Sequence, residues 1–375
     1  MNVVFTCGGT GGHINPAIAV ANSWKERHPE DKILFVGSKG RMEEDLVPQA
    51  GFEIKTIEAK GMSRSLSFAG LKQNAQAISY VLQSVGKCKK ILKEFSADIV
   101  VGTGGFASFP ALMAASLLKI PTCVHEANAM PGLTTRMIAG RADKVLTCFP
   151  DSAKYYKDSA KVETVGMPVR KEFIFTKRED ARKELGLTDE FLVVSAFGSQ
   201  GAKAMNEAMA ELFVLEQDAG FPFRHIHATG SYGWEWMPQR VKSLGVDLEN
   251  APMITVQEYI YNMPTLMAAA DVIISRAGAS SCNEIAAAGT PCILIPSPNV
   301  TDDHQTKNAK ALADKGAAVL LPEADCTPQR LMAQIQKLLE NTTAREQMKQ
   351  ALHKLSVPDS AQRVCDIMQT LTKRN

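Results

Sequence analysis

Short apolar runs alternate with stretches of helical period along the whole chain. In the first half, the apolar runs predict buried strands at residues 3–6, 32–37, 97–101, 121–125 and 144–149. The segments between them have apolar residues at helical spacing and predict helices at residues 15–27, 70–94, 109–119 and 132–140. Continuous apolar strands that alternate with helices are typical of a parallel sheet covered on both faces.

The same alternation returns in the second half of the chain. Apolar runs predict strands at residues 191–197, 223–228, 253–257, 271–275, 291–295 and 317–321. Helical spacing predicts helices at residues 202–217, 262–270, 280–288, 304–315 and 328–340. The fold class expected from both halves is α/β, with doubly wound parallel sheets.

The two halves are similar to each other and are separated by a segment that favours no regular structure. Each half opens with an apolar strand, a glycine-containing turn and a helix, in 3-VVFTCGGTGGH-13 and 192-LVVSAFGSQGA-202. The segment 165-VGMPVRKEF-173 contains a glycine and a proline, which interrupt helices and strands. The sequence therefore predicts two Rossmann-like domains in tandem. A C-terminal helical segment has no strand after it and is expected to pack back across the domain boundary.

Composition limits the function classes. Of the 375 residues, 45% are hydrophobic and 22% are charged, which is typical of a soluble globular protein. The net charge is +2, from 42 basic and 40 acidic residues, so we expect no nucleic-acid partner. The chain has no signal-peptide pattern and no apolar run of about 18 residues. We expect a cytoplasmic protein, with peripheral membrane association left open.

The eight cysteines are scattered, and the closest two are ten residues apart. This spacing fits neither a disulfide framework nor a structural zinc site. We expect free thiols and a reducing compartment.

The segment 8-GGTGGH-13 lies between a predicted strand and a predicted helix. Bare backbone N–H groups at the start of a helix bind anions or sugar oxygens, and glycine lets a ligand approach closely. The segment matches neither the G-x-G-x-x-G pattern nor a P-loop. His13 is a candidate general base, because the positive end of a helix favours the neutral imidazole. The alternatives are a tight turn without a ligand and a histidine that only caps the helix.

Two more glycine loops follow predicted strands, in 102-GTGGFASFP-110 and 197-FGSQGAKAMNE-207. Ser199 in the latter is placed to donate to a phosphate. Glycine loops at the carboxyl ends of parallel strands are expected to face one crevice. Taken alone, the loop at 197–207 is equally well explained as an ordinary turn between a strand and a helix.

The second half contains a small-residue loop, 275-SRAGASSCNEIAAAGTP-291, at the start of a predicted helix. Glu284 lies about one turn inside this helix, where a carboxylate accepts both hydroxyls of a ribose. The alternative is a glutamate that only complements the helix dipole. His304 and Gln305 at the next helix start are candidates for sugar hydroxyls, or belong to a solvated helix end. Arg170, in the boundary segment, is a candidate for a diphosphate.

The chain contains no D-x-D motif for a metal-bound sugar diphosphate. Negative charge on a leaving group must then be met by helix N-termini, backbone N–H groups and Arg170. We expect no metal site and no cofactor in catalysis.

The segment 62–95 combines apolar and basic residues. Its apolar residues recur at helical spacing, and its basic residues flank them; they are Ile78, Val81, Leu82 and Val85, with Arg64, Lys72, Lys87, Lys89 and Lys90. This combination is typical of a helix on an anionic membrane surface. A core-facing stripe with a solvated lysine edge is the alternative, and on the residues alone it is favoured.

Six motifs occur in a fixed order along the chain: GGTGGHINPA, HEANAMPGLTTR, GMPVR, GSQGAKAMNE, SRAGASSCNEIAAAGTP and DDHQTKNA. This set resembles the MurG family of undecaprenyl-diphospho-muramoylpentapeptide β-N-acetylglucosaminyltransferases, in glycosyltransferase family 28. The resemblance implies a GT-B fold, in which two Rossmann-like domains face each other across a cleft. It implies a first domain of residues 1–166 with a C-terminal helix, 357–375, packing back on it. The second domain, residues 167–356, is expected to bind UDP-N-acetylglucosamine.

The resemblance also implies an activity in peptidoglycan synthesis. N-acetylglucosamine is expected to pass, with inversion, from its UDP donor to the muramoyl 4-hydroxyl of lipid I, forming lipid II. The partners implied are this donor, lipid I and an anionic membrane. The location implied is peripheral, on the cytoplasmic side of the cell membrane. The resemblance also favours membrane contact over the core-facing alternative for segment 62–95.

The resemblance assigns site residues position by position. His13 matches the suspected base, Arg170 and Ser199 match diphosphate contacts, and Glu284 matches the ribose contact. The other expected substrate-binding residues are Thr10, Gly11, Gly12, Asn128, Gln200, Ile260, Ala279, Ser280, Ser281, Cys282, Asn283 and Gln305. Four positions, Met167, Phe197, Ser281 and Cys282, depart from the family pattern, so no side-chain role is carried onto them.

Three other functions remain open from the sequence. A glycolipid synthase that uses a UDP-sugar shares the donor site and differs in the acceptor. A UDP-N-acetylglucosamine 2-epimerase shares the fold and consumes donor without an acceptor. A non-catalytic nucleotide-sugar-binding subunit binds the donor and turns nothing over. The missing G-x-G-x-x-G pattern disfavours an NAD-dependent dehydrogenase.

Overall fold

The computed structural model describes residues 1–58, 68–105, 107–300 and 303–373, with the backbone alone for 68–79. The chain divides into two compact units. Unit 1 comprises Met1–Arg170 and Val357–Asn375, and unit 2 comprises Lys171–Ser356.

Unit 1 is built on a parallel sheet of seven strands, in the order β3-β2-β1-β4-β5-β6-β7. The strands are β1 (Asn2–Thr6), β2 (Lys32–Ser38), β3 (Glu53–Ile57), β4 (Ile99–Gly102), β5 (Thr122–Glu126), β6 (Lys144–Thr147) and β7 (Val162–Thr164). The helices between them are α1 (Gly11–Arg27), α2 (Glu43–Gln49), α3 (Phe68–Phe95), α4 (Ser108–Leu117) and α5 (Leu133–Ala139). Two short 3₁₀ helices, Pro150–Tyr155 and Ser159–Lys161, precede β7.

Unit 2 is built on a parallel sheet of six strands, in the order β10-β9-β8-β11-β12-β13. These strands are β8 (Leu192–Ala196), β9 (Arg224–Ala228), β10 (Ile254–Gln257), β11 (Val272–Ser275), β12 (Cys292–Leu294) and β13 (Val319–Leu320). The helices are α6 (Lys171–Phe175), α7 (Arg178–Glu184), α8 (Lys203–Asp218), α9 (Ser231–Trp234), α10 (Met237–Ser243), α11 (Met263–Ala269), α12 (Ala279–Ala288), α13 (His304–Ala313), α14 (Pro328–Glu340) and α15 (Thr342–Leu355). A 3₁₀ helix, Glu323–Asp325, follows β13.

The last helix, α16 (Ser360–Thr372), belongs to unit 1. Its apolar face packs with α1 over one face of the unit 1 sheet, where Met368 and Trp24 join the same core as Phe5. The other face of that sheet is covered by α3, α4 and α5, with Leu92 and Leu112 in its core. Because both faces are covered, the central strands are buried on both sides, which explains their continuous apolar runs.

The predicted fold class, two doubly wound parallel sheets, is confirmed. The pattern missed the edge strands β3 and β7, because each has partly exposed residues and β7 has only three. It also began α1 too late, since Gly11 and Gly12 lie in its first turn.

The division between the units falls after Arg170, four residues beyond the boundary predicted at residue 166. The residues on either side of the predicted boundary contact unit 1. The Gly166 carbonyl accepts a hydrogen bond from His125 at 2.9 Å, and Met167 is buried beside Cys148.

Segment 62–95 gives a mixed result. Arg64 lies outside the described residues, as do the side chains of Lys72 and Ile78. Val85 is buried in the core of unit 1, with Val81 packed against it, so this part of the stripe faces the sheet rather than a membrane. Leu82 is 68% exposed. In the described part of the chain, no helix has the length and apolarity that crossing a bilayer requires.

All eight cysteines are free, as their spacing predicts, and the structure shows that all are buried. Burial raises the pKa of their thiols; that of Cys326, for example, rises to about 11.

Candidate active site and nucleotide site

His13 lies in the first turn of α1, directly after the first glycine loop. The imidazole Nδ1 lies 3.2 Å from the carbonyl oxygen of Gly8 and 3.4 Å from Oγ1 of Thr10. A carbonyl oxygen only accepts hydrogen bonds, so in the contact with Gly8 the Nδ1 atom carries the proton and donates it. The neutral ring then has its lone pair on Nε2, which is the form that a general base needs.

The loop at Gly104 and Gly105 packs directly against the first glycine loop. A Cβ atom on Gly104 would lie 2.6 Å from Cδ2 of His13, and one on Gly105 would lie 2.0 Å from the Gly8 carbonyl oxygen. Both glycines have positive φ, at 103° and 85°. Thr103 adds a hydrogen bond from its Oγ1 to the His13 carbonyl at 2.6 Å. Of the three glycine loops expected to face one crevice, these two lie together, and glycine is required there by both space and conformation. That the third loop faces the same crevice stays a prediction. Phe106 of the same loop lies outside the described residues.

A buried carboxylate that the sequence did not reveal lies beneath the first glycine loop. Glu43, at the start of α2, is fully buried. Its Oε1 accepts from the Ser38 N–H at 2.8 Å, and its Oε2 accepts from the Gly9 N–H at 3.1 Å. Burial, and then the charge of Glu43, raise the pKa of the Cys7 thiol. In the sequence, Glu43 stands in the acidic run EED, which is typical of a solvated helix start.

A second buried carboxylate shapes the loop that follows β5. Glu126 accepts hydrogen bonds from the backbone N–H of Asn128 at 2.9 Å and from its Nδ2 at 3.1 Å. Its other oxygen accepts from the Gly132 N–H at 2.9 Å. The candidate Asn128 is therefore fixed by its neighbour, a role for Glu126 that the motif alone did not indicate.

His125, one residue before Glu126, is buried and differs from His13. Its Nε2 donates to the Gly166 carbonyl at 2.9 Å. Burial lowers the pKa of His125 and outweighs the hydrogen bond to Gly166 and the charge of Glu126, which act in the opposite direction. His125 is therefore neutral and enclosed, whereas His13 is partly exposed.

In unit 2, the loop between β8 and α8 carries Ser199 and Gln200, both exposed. Backbone contacts with the segment after β9 hold it in place. The carbonyl oxygens of Ser199 and Gln200 accept from the N–H groups of Ser231 and Tyr232, both at 3.2 Å. A Cβ on Gly201 would lie 1.9 Å from the Thr229 carbonyl oxygen, so this position requires glycine.

The small-residue loop of the second half leads into α12, which begins at Ala279. Ser280 and Ser281 lie in its first turn, and the Asn283 side chain donates to the Ala279 carbonyl at 2.8 Å. The Cys282 side chain points into the core, where burial raises its pKa to about 12, so only its backbone is available to a ligand. Glu284 follows, half-buried, in the second turn.

The remaining candidates of unit 2 lie after neighbouring strands. Ile260 follows β10 and is buried. Gln305 lies in the first turn of α13, where its Oε1 accepts from the Ser297 N–H at 2.9 Å. Residues 301 and 302, just before this helix, lie outside the described residues. Because β10, β8, β11 and β12 are parallel, the carboxyl ends that these candidates follow share one edge of the sheet.

The candidate residues are thus divided between the units. Unit 1 contains Thr10, Gly11, Gly12, His13, Asn128 and Arg170; unit 2 contains Ser199, Gln200, Ile260, Ala279, Ser280, Ser281, Cys282, Asn283, Glu284 and Gln305. Arg170 is exposed at the end of unit 1. In the described ranges, no group of three or more His, Cys, Asp or Glu residues is arranged to hold a metal ion.

Comparison with known proteins matches both halves of the chain. Residues 3–147 match the glycosyltransferase family 28 N-terminal domain, and residues 192–364 match the family 28 C-terminal domain.

Full-length relatives carry one name, UDP-N-acetylglucosamine–N-acetylmuramyl-(pentapeptide) pyrophosphoryl-undecaprenol N-acetylglucosamine transferase. The protein of Acetivibrio thermocellus is 38% identical over 100% of this chain and 99% of its own length. That of Carboxydothermus hydrogenoformans is 41% identical over 100% of this chain and 98% of its own. The crystal structure of Acinetobacter baumannii MurG is similar with a TM-score of 0.74 and 29% identity, over 98% of this chain and 99% of that one. The chain therefore belongs to glycosyltransferase family 28 and, within it, to the MurG family.

Proposed function

We propose that this protein transfers N-acetylglucosamine from UDP-N-acetylglucosamine to the muramoyl 4-hydroxyl of lipid I, with inversion at the anomeric carbon, to give lipid II. The names of its full-length relatives support this donor and this acceptor. The observation that carries the mechanism is the hydrogen bond from His13 Nδ1 to the Gly8 carbonyl, because it leaves Nε2 as the basic atom.

In the proposed reaction, His13 acts on the acceptor hydroxyl. Nε2 takes the proton as the hydroxyl oxygen attacks the anomeric carbon of N-acetylglucosamine, and the bond from that carbon to UDP breaks. Thr10, Gly11 and Gly12 line the approach to the ring, and Asn128 contacts the donor sugar. The buried charge of Glu43 disfavours a diphosphate in the first glycine loop, so we assign this loop to neutral sugar groups.

Unit 2 supplies most of the proposed donor site, with Arg170 at the end of unit 1. The N-termini of α8 and α12 present backbone N–H groups, which together with Ser199, Gln200 and Arg170 stabilise the charge of the leaving UDP. Glu284 accepts hydrogen bonds from the ribose hydroxyls, and the backbone of Ile260 binds the uracil. Gln305 uses Oε1 within the protein and so offers Nε2 to a sugar hydroxyl. The small residues from Ala279 to Asn283 let the nucleotide approach the helix backbone closely.

We further propose that unit 1 contacts an anionic membrane on the cytoplasmic side. The helices α3, α4 and α5 cover one face of the sheet, and each has large apolar side chains exposed to solvent: Leu82, Leu117, Leu133 and Met137, at 68, 50, 55 and 51%. The exposed Lys87, Lys90 and Lys93 lie on α3. Exposed apolar groups beside lysines favour the surface of anionic lipids.

Sedimentation with phosphatidylglycerol vesicles tests the membrane proposal. The double variant Leu133→Glu/Met137→Glu should reduce the bound fraction severalfold, whereas Phe175→Glu, at an exposed apolar position of unit 2, should not. Equal binding by all three proteins would remove this surface from the proposal.

The transfer reaction is tested directly with labelled UDP-N-acetylglucosamine, with and without a lipid I analogue. Product that depends on the acceptor is the expected result. Release of UDP or epimerisation of the donor without acceptor would instead favour a 2-epimerase. Transfer to diacylglycerol but not to the analogue would favour a glycolipid synthase, and binding without turnover would leave a binding subunit.

A further inference from the structure

The two hydrogen bonds at the first glycine loop share one peptide group. The carbonyl of Gly8 accepts from His13 Nδ1 at 3.2 Å, and the N–H of Gly9 donates to Glu43 Oε2 at 3.1 Å. Because the Gly8 carbonyl and the Gly9 N–H belong to the same planar amide, the imidazole and the carboxylate lie on opposite sides of a single polar group.

A carboxylate that accepts from an amide N–H polarises the amide. Electron density moves towards the carbonyl oxygen, which becomes a stronger acceptor for the proton on His13 Nδ1. When His13 takes a proton at Nε2, the ring becomes positively charged, and a buried negative charge nearby stabilises that form. Catalytic triads use a carboxylate in this way through a direct hydrogen bond to histidine.

We propose that Glu43 is a positioning residue that acts on His13 through the Gly8–Gly9 peptide group. It holds the imidazole in the Nδ1–H form and supports the charge that develops on it. The effect on turnover rests on the function proposed above, whereas the effect on the state of the ring does not.

Two neighbouring glycines leave the space that the Glu43 side chain occupies. A Cβ on Gly8 would lie 2.6 Å from its Oε1, and one on Gly37 would lie 2.6 Å from its Cγ. A fully buried carboxylate is costly unless its oxygens are hydrogen-bonded, and here both accept from backbone N–H groups. Glutamine, at the same size, has only one acceptor atom and would set an N–H group against one of these donors.

Other titratable groups also surround the loop. Cys7, directly after β1, interacts electrostatically with Glu43, and His125 on β5 interacts with both His13 and Glu126. On the helix of Glu43 itself, Asp45 is exposed and Glu44 accepts from the Gly40 N–H at 2.7 Å. Asp45→Asn therefore removes a charge from the same helix without touching the glycine loop, and it is the matched control.

The first test measures the ring directly by ¹⁵N NMR of histidine-labelled protein, with the His13 signals assigned from their loss in His13→Ala. The wild type and Asp45→Asn should show the neutral His13 ring as the Nδ1–H form. Glu43→Gln should raise the share of the Nε2–H form at least threefold. An unchanged His13 spectrum in folded Glu43→Gln protein would overturn the proposal, whether or not any transferase activity is found.

The second test asks whether Glu43 acts through His13. Glu43→Gln should lower the single-turnover transfer rate about tenfold in the wild-type background, but less than twofold in the His13→Ala background, with donor affinity unchanged in both. Equal losses in the two backgrounds would mean a general structural role and contradict the proposal.

If Glu43→Gln does not fold, Glu43→Asp takes its place in both tests. It keeps the charge and withdraws it by one methylene group, so it should show the same changes at smaller size. A Glu43→Asp protein that folds and matches the wild type in both ring state and rate would equally overturn the proposal.

Discussion

The glycine loops of the two units start from the same local design and differ in what lies beneath them. Each follows the first strand of its unit. Each also contains a glycine where an added Cβ atom would clash: Gly8 in unit 1, at 2.6 Å from its nearest neighbour, and Gly201 in unit 2, at 1.9 Å. Beneath the loop of unit 1 lies the carboxylate of Glu43, which accepts from Gly9. The unit 2 loop instead contacts the segment that follows β9. This segment is held by a buried amide, Asn206, which donates to the Thr229 carbonyl at 2.8 Å.

Because of this difference, the same strand–loop–helix unit suits a different chemistry in each half of the chain. A buried negative charge supports a cationic imidazolium and opposes a phosphate. A neutral amide leaves the positive field of a helix N-terminus available to an anion. The comparison supports the proposal that proton transfer belongs to the loop of unit 1 and diphosphate binding to the loop of unit 2, although their glycine patterns look alike in the sequence.

The largest effect is expected from His13→Ala. Loss of the base should lower turnover by about a hundredfold or more, because general-base catalysis contributes on the order of 10²–10⁴. UDP-N-acetylglucosamine affinity, measured by calorimetry, should stay within about twofold, since His13 acts on the acceptor hydroxyl and the groups proposed for the nucleotide lie mainly in unit 2. Near-normal turnover would remove His13 from the mechanism and with it the contrast between the loops.

A matched pair of glycine substitutions should separate the roles of the loops. Gly105→Ala places a Cβ 2.0 Å from the Gly8 carbonyl, and Gly201→Ala places one 1.9 Å from the Thr229 carbonyl. We expect Gly105→Ala to lower the transfer rate about thirtyfold with donor affinity kept, as a displaced base costs on the order of 10²-fold. Gly201→Ala should instead weaken donor binding by a similar factor.

The control for this pair is Gly40→Ala, at a φ of 68° with no atom within 4 Å of the added Cβ. It should cost only the left-handed backbone strain, about 1 kcal/mol of unfolding free energy, measured by urea denaturation. If Gly105→Ala and Gly201→Ala affected rate and affinity alike, the proposed division of labour would fail.

Glu284→Gln should have a smaller effect, confined to the donor. Losing a charge-assisted hydrogen bond to the ribose costs about 1.4 kcal/mol, or about tenfold in Kd. The rate at saturating donor should stay close to that of the wild type, because the bond is made equally in the ground and transition states. UDP titrations of both proteins measure the Kd. An unchanged Kd would mean that Glu284 only complements the helix dipole.

The smallest effect is expected from metal removal. The chain has no D-x-D motif, and the proposed mechanism places helix N-termini and Arg170 at the leaving group. Excess EDTA should therefore change the transfer rate by less than about twofold. A loss of activity that Mg²⁺ or Mn²⁺ restores would require a metal at the diphosphate and a revised account of unit 2.

The fold was predictable from the sequence because buried strands of a parallel sheet are apolar on both faces. The edge strand β3 was not, since its residues are mostly half-buried and alternate with charge. Glycine loops and His13 were predictable because they are local in the chain. Glu43 was not, because its partners Gly9 and Ser38 come together only when β1 and β2 pair.

A buried hydrogen-bond network in unit 2 was also not predictable from the sequence. Ser195 Oγ lies 2.8 Å from His225 Nε2 and 2.7 Å from His227 Nδ1, while Glu216 bonds to His225 at 2.7 Å. Burial, and then the charge of His225, lower the pKa of His227 to about 3. In the sequence these residues come from two strands and a helix, with no spacing that indicates their contact.

The division of labour between the two units is tested most directly by single-turnover transfer at saturating UDP-N-acetylglucosamine. The rate of His13→Ala should stay about two orders of magnitude below that of the wild type, while Glu284→Gln should return to within a few fold of it. This result is the one that the account predicts. Recovery of His13→Ala at high donor concentration, with Glu284→Gln remaining slow, would contradict it.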